Sequence, residues 1–212
     1  MTFHIISLFP EAFKSFFSFS IIKRAQKNKL VGIKFYNPRD FTKDKYRTVD
    51  DKPYGGGPGM AIKIEPIVKA INSIKSKSNK IVLLSARGKQ FNQKMARDWV
   101  KKYKNIVLVC GHYEGVDERV KKILKVEEIS IGPYILSGGE AGAMVLVDAI
   151  SRHIPGVLGK IESLEEKKGS YPVFTRPEVF EYKKRKYSVP KVLLSGDHKK
   201  ISEWRTKYGK IL

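Results

Sequence analysis

Ile106-Val107-Leu108-Val109-Cys110-Gly111-His112-Tyr113-Glu114-Gly115 joins an unbroken apolar run to a glycine-bearing turn. A run that does not alternate with polar residues is buried on both faces, which marks a strand inside a parallel sheet. Runs of the same kind lie at 3–8, 33–36 and 81–84, and helical patterns occupy 11–27, 65–75 and 92–102 between them. This alternation predicts an α/β fold: a parallel sheet with helices on both faces. A second glycine segment, Ile131-Gly132-Pro133-Tyr134-Ile135-Leu136-Ser137-Gly138-Gly139-Glu140, also follows an apolar run. Glycine permits positive φ and close backbone approach, so the two segments read together as one ligand-binding site. Tight turns that merely reverse the chain explain one such loop well and two less well.

Charge bounds the partners. With 42 Lys plus Arg against 21 Asp plus Glu, the formal net charge is +21. Such a field attracts phosphates at long range and points to nucleic acid, although lysine enrichment is also a compositional habit of some genomes. No apolar stretch reaches the roughly 18 residues of a membrane span, and the first ten residues lack a signal-peptide pattern, so a cytoplasmic location without membrane contact is expected. The one cysteine, Cys110, offers neither a disulfide nor a cysteine-based zinc site and reads as a buried thiol.

Residues 37–60 form a long polar connection ending in Tyr54-Gly55-Gly56-Gly57-Pro58-Gly59-Met60. It lacks the Gly-Lys-Ser/Thr ending of a phosphate-binding loop and does not fit the dinucleotide fingerprint, which disfavours conventional ATP or NAD binding. Residues 141–153 are mostly apolar, with Asp148 and Arg152 four apart on one helical face, where an internal ion pair is the plain structural reading. The stretch 160–170 is almost wholly polar and marks a linker. Beyond it the chain is basic, with Lys183-Lys184-Arg185-Lys186 and a terminal helix over about 197–207. The expected partition is a main domain over 1–159, a flexible linker over 160–171, and a small, shortened, mainly helical basic domain over 172–212.

Taken in order, Ile5-Ile6-Ser7-Leu8-Phe9-Pro10, Asn37-Pro38-Arg39-Asp40-Phe41, the stretch from Arg47 through Asp50 to the glycine loop, both glycine segments, and Ser151-Arg152-His153-Ile154-Pro155-Gly156-Val157-Leu158-Gly159 resemble the bacterial tRNA (guanine-37 N1) methyltransferases. The resemblance runs from the first residues to Trp204. It implies a deep trefoil knot in the C-terminal part of the main domain, membership of the knotted SPOUT superfamily, a homodimer with active sites at the subunit interface, and S-adenosylmethionine as methyl donor. It places the donor at Leu84 and Ser85, at Gly111, Tyr113, Glu114 and Gly115, and at Ser130, Ile131, Gly132, Pro133, Tyr134, Ile135, Leu136, Gly138 and Gly139. Tyr113 and Tyr134 serve equally well as packing residues. The substrate implied is tRNA with guanine at position 37, contacted by Asp50, Gly57 and Gly59 and by Lys183, Lys184 and Arg185, the last three through phosphates.

N1 of guanine carries a proton and is a poor nucleophile, so methyl transfer there needs a base at N1 and positive charge or hydrogen bonding at O6. Arg152 matches the family arginine assigned to the target guanine. The family's linker pattern, like Ser-x-Glu-Glu-Asp-Ser-Phe, supplies an aspartate as base; this chain has Glu165-Glu166-Lys167-Lys168, with Lys167 at the aspartate position and fewer residues overall. Glu166 or Glu165 is then expected to take its place, and a magnesium ion, which the family uses, would be held by the same glutamates. The alternatives are an RNA-binding module that keeps the donor pocket with weak or no catalysis, and a knotted methyltransferase acting at another RNA position. The family pattern also continues past the helix bearing Glu203-Trp204-Arg205, so a reduced C-terminal domain is expected.

Overall fold

Strand residues of alternating parity enter two separate cores, which is why the apolar runs are unbroken. The computed structural model describes residues 1–75, 79–159 and 170–209. In chain order the elements are β1 (Thr2–Ile6), a 3-10 turn (Pro10–Phe13), α1 (Lys14–Phe17), α2 (Ser20–Lys27), β2 (Gly32–Tyr36) and a second 3-10 turn (Pro38–Phe41). Next come β3 (Asp50–Asp51), β4 (Ala61–Ile62), α3 (Ile64–Asn72), β5 (Asn79–Gln90), α4 (Gln93–Lys102) and β6 (Asn105–Cys110). The remainder are α5 (Arg119–Leu124), β7 (Glu127–Ser130), α6 (Glu140–Ser151), β8 (Val179–Tyr182), β9 (Arg185–Ser188), α7 (Lys191–Leu194) and α8 (His198–Tyr208). The chain divides into two compact units, Met1–Leu158 and Gly159–Leu212.

In the first unit the main sheet runs β2-β1-β6-β5-β7, with every pairing parallel. Ile106, Leu108 and Cys110 face a core built with Phe13 and Phe17, Ala96 and Trp99, and Leu146 and Ile150. Val107 and Val109 face the other core, with Ile67, Ala70 and Ile71 of α3 and Val120 of α5. The expected α/β architecture with helices on both faces is therefore present. Burying the large side chains of both layers stabilises this unit by about 1.5–3 kcal/mol each.

Local chemistry sets the boundaries. Asn92 is the cap of α4, not its first residue, its Oδ1 accepting the Met95 N–H at 3.0 Å. The helix expected over 11–27 is broken at Ser18 and Phe19: Phe19 is extended, and Ser18 Oγ donates to the Ser15 carbonyl at 2.9 Å. Serine's competition for backbone partners and the stacking of Phe13 on Phe17, ring centroids 5.7 Å apart, explain why the chain turns there. The short strand β7 is the fifth core strand, missing from the four runs read as strands; the apolar run expected ahead of the second glycine segment is in fact Glu-Glu-Ile-Ser, apolar at Ile129 alone. The run at 81–84 extends into a twelve-residue strand whose register against β7 shifts between Leu84 and Lys89.

A buried polar contact ties three strands together. His4 is 5% exposed, its Nδ1 3.0 Å from Tyr36 Oη on β2 and its Nε2 3.3 Å from Asn105 Oδ1 on β6. Burial pulls its pKa below the ordinary histidine value; the Asn105 contact opposes this and the Lys34 charge adds to it. The folded state thus binds the proton less readily than the unfolded chain. The stabilising contribution is full above the unfolded value near 6.5 and declines as pH falls from there through the folded value. Urea midpoints measured from about pH 7 down to 5 should fall more steeply in the parent protein than in His4→Gln. Equal slopes would show that His4 does not titrate differently on folding.

Candidate functional site

All the main-sheet strands run the same way, and the chain leaves the ends of β6 and β7 through the two glycine segments. Ligands of open parallel sheets sit outside such carboxyl ends. Here a cleft of about 310 Å³ is walled by the bow of β5 around Ser85, the loop after Cys110 and the loop after Ser130. Of the expected donor residues, Leu84, Ser85, Gly111, Tyr113, Glu114, Gly115, Ser130, Ile131, Tyr134, Ile135, Leu136, Gly138 and Gly139 line it. Gly132 and Pro133 do not. Gly132 instead shapes the turn: it exchanges hydrogen bonds with Ser130 Oγ, donating at 3.2 Å and accepting at 2.9 Å, and a side chain there would strike the Tyr134 ring. Tyr134 also donates its hydroxyl to the Ile131 carbonyl at 3.2 Å, so it has a packing role while remaining at the cleft.

The loops are locked to one another. His112 bridges to Gly138, and the Gly139 N–H donates to the Gly111 carbonyl at 2.9 Å. A Cβ at Gly139 would lie 2.6 Å from Cys110 Cα and 3.0 Å from the Gly111 nitrogen, contacts with backbone that cannot swing away. Behind this junction Glu140, 9% exposed, accepts from Ser7 Oγ at 2.6 Å and lies 2.7 Å from His112 Nε2. Phe9 packs edge-on against the His112 ring, centroids 5.0 Å apart. Ser7, His112 and Glu140 were missed as site residues from sequence. Their signal was a hydroxyl and an acid placed where the neighbours are apolar or glycine, which implies a mutual hydrogen bond. Cys110 lies under the same junction, and burial, reinforced by the Glu140 charge, pushes its thiol pKa well up, so it is a packed neutral side chain.

The glycine loop between β3 and β4 is tied to the cleft through Glu114. Its N–H donates to the Met60 carbonyl at 3.0 Å, the Ile62 N–H donates to Gly115 at 2.9 Å, and a Cβ at Gly59 would strike the Glu114 side chain. Gly57 and Gly59 have φ of 108° and 83°, which only glycine adopts cheaply. Asp50 lies at the base of this hairpin, paired with Ile62. Asp50, Gly57 and Gly59 do not line the cleft themselves; the end of the expected guanine-contacting segment touches it through Glu114.

Arg152 lies elsewhere. It follows the last residue of α6, and its N–H donates to the Asp148 carbonyl at 3.2 Å; among the described residues no ion pair joins the two side chains. The twelve-residue helix between the Gly139 junction and Arg152 is about 18 Å long. Glu165 and Glu166 fall outside the described residues, as does Lys167. Among the described residues, no three His, Cys, Asp or Glu side chains gather to hold a metal ion, and no helix is long and apolar enough to cross a membrane. In the second unit Lys183, Lys184 and Arg185 form the turn and following edge of the β8–β9 ribbon.

The family model described as tRNA (Guanine-1)-methyltransferase TrmD matches residues 1–210. A tRNA (guanine-N(1)-)-methyltransferase of Dictyoglomus turgidum is 53% identical over 208 residues, covering 96% of this chain and 82% of the relative. The protein of that name from Carboxydothermus hydrogenoformans is 49% identical, covering 98% and 82%, and that of Buchnera aphidicola is 47% identical, covering 97% and 88%.

Proposed function

The chain belongs to the tRNA (Guanine-1)-methyltransferase TrmD family, and on that premise we propose that it transfers a methyl group from S-adenosylmethionine to N1 of guanine 37 in the tRNA anticodon loop. The observation that carries this reading is the single cleft made by the two interlocked glycine loops and the bow of β5. Main-chain donors and acceptors line it, Leu84, Ile131 and Leu136 supply apolar walls for a flat base, and Glu114 offers a carboxylate to sugar hydroxyls. These groups fit a nucleoside-bearing donor, which when bound supplies the activated methyl group. A trefoil knot belongs to the same reading through the family alone; the close approach of Gly88 to the Ile129 backbone is local to the register shift between β5 and β7.

At the acceptor, Arg152 donates to guanine O6 as negative charge develops there, and a linker carboxylate, Glu166 or Glu165, accepts the N1 proton. Arg152 lies at the far end of α6, about 18 Å along the helix from the Gly139 junction, a placement compatible with the family's homodimer, in which one protomer's cleft would face its partner's Arg152. Asp50, Gly57 and Gly59 position the guanine beside Glu114. Glu165 and Glu166, the residues expected to hold magnesium, lie outside the described residues.

The direct test is methyl transfer to a guanine-37 tRNA transcript against one with another base there, alongside calorimetry with the donor. Transfer that ignores position 37 would point to another RNA target; donor binding with no transfer to any transcript would point to an RNA-binding module. Glu166→Gln and Glu165→Gln are each expected to lower kcat about tenfold with donor Kd unchanged, because the adjacent carboxylate takes over part of the proton transfer, and the double substitution deepens the loss. Unchanged turnover in all three variants would remove both residues from the mechanism.

A further inference from the structure

The β8–β9 ribbon presents aromatic side chains that are more than half exposed among the described residues. Its register sets Phe180 opposite Tyr187 and Tyr182 opposite Arg185. Opposed and alternate residues share a side of a ribbon, so these four side chains form one face. Phe180, Tyr182 and Tyr187 are 57%, 54% and 54% exposed, and every residue of both strands is exposed. The turn is Lys183-Lys184, with φ of 47° and 62°. Asparagine and glycine adopt that left-handed geometry at lower cost, yet here it holds two ammonium groups at the ribbon's tip. Lys183 Nζ lies 5.4 Å from the centroid of the Tyr182 ring. From Tyr182 to Tyr187 the chain reads Tyr-Lys-Lys-Arg-Lys-Tyr, with no acid.

Three rings more than half exposed on a two-stranded ribbon lend it only the weak cross-strand pairing of Phe180 with Tyr187; exposure of this kind marks a surface that meets a partner. The partner must satisfy planar rings and a dense set of cations over a few ångströms. A protein groove suits the rings alone, and duplex RNA suits the cations alone. Unpaired RNA offers exposed base faces and flanking phosphates together. We propose that this face is a stacking platform for an unpaired nucleotide of RNA, with the rings taking the base and Lys183, Lys184 and Arg185 the adjoining phosphates. The proposal rests on the reading of the chain as a tRNA enzyme and adds a subsite for unstacked bases in the second unit.

The test is anisotropy binding of the full chain to a short single-stranded oligoribonucleotide and to the same sequence in a duplex, over a range of salt. In a variant carrying Phe180→Leu, Tyr182→Leu and Tyr187→Leu, single-strand affinity should fall roughly five- to hundredfold per ring that stacks, with the salt slope and duplex binding retained. Tyr182→Phe with Tyr187→Phe should restore parental affinity, since a ring and not a hydroxyl is needed. Lys183→Gln with Lys184→Gln should instead weaken both RNAs and reduce the salt slope by about 1–2. Unchanged single-strand affinity in the triple variant overturns the proposal. So does an equal loss for single strand and duplex, or binding of anionic vesicles by this face in place of RNA. Donor binding and melting temperature establish that each variant is folded. If the parental chain failed to methylate the guanine transcript, the enzyme reading would fall while the oligonucleotide comparison still decided the platform.

Discussion

Arg152→Ala is expected to lower kcat/KM for methyl transfer by about 10²- to 10³-fold while leaving the donor's Kd unchanged. Loss of the N1 proton to the linker carboxylate puts negative charge on guanine O6, and the charge is drawn off again only as N1 bonds to the methyl group and the methyl–sulfur bond breaks. A guanidinium aimed there stabilises the transition state more than the ground state, so kcat carries the effect. The fold has little stake in this side chain: it forms no ion pair with Asp148 among the described residues, and its backbone hydrogen bond survives the substitution. Arg152→Lys should recover only part of the loss, because an ammonium cannot reproduce the planar fork. A fall in melting temperature matching the loss of rate would instead assign Arg152 a structural role.

Gly139→Ala is expected to abolish most donor binding and to destabilise the first unit by about 1–3 kcal/mol. The added methyl meets Cys110 Cα and the Gly111 nitrogen, and relief requires the two loops to separate, breaking the 2.9 Å bond between Gly139 and Gly111. That bond also holds the loop bearing Tyr113 and Glu114 against the one bearing Leu136, so the cleft loses its shape. Calorimetry with the donor and a denaturant titration read the two consequences separately. Full donor affinity in a stably folded Gly139→Ala protein would refute the assignment of the cleft.

Together the two variants test where the site is completed. Each alone has a defective site by design. If one protomer's cleft works with its partner's Arg152, mixing Arg152→Ala with Gly139→Ala and allowing subunits to exchange restores about a quarter of parental activity through random assortment into dimers. If cleft and arginine belong to the same chain, mixing restores nothing.

The basic hairpin shows where sequence reading stopped short. Lys183 to Lys186 was legible as a charge run, but the alternation that sorts Phe180, Tyr182 and Tyr187 onto one face becomes visible only when β8 and β9 pair. Phe19 and Ser18 gave the opposite difficulty, since a helical pattern continued through them on paper while serine's own hydrogen bonding ended the helix.

Sequence by itself determined the layer architecture, because an uninterrupted run such as Ile106 to Cys110 has to be buried on both faces, and it determined which loops are rich enough in glycine to approach a ligand. It also brought the family within reach through an ordered set of motifs. Tertiary structure alone decided that β7 joins the sheet despite its glutamates, that Gly139 is glycine because of Cys110 and Gly111 and not because of a turn, and that Glu140 is held by Ser7 and His112. It also decided that Arg152 stands a helix length from the cleft. Local chemistry is written in neighbouring residues, whereas close approach between residues far apart in sequence depends on the packing of the whole sheet, which no local pattern encodes.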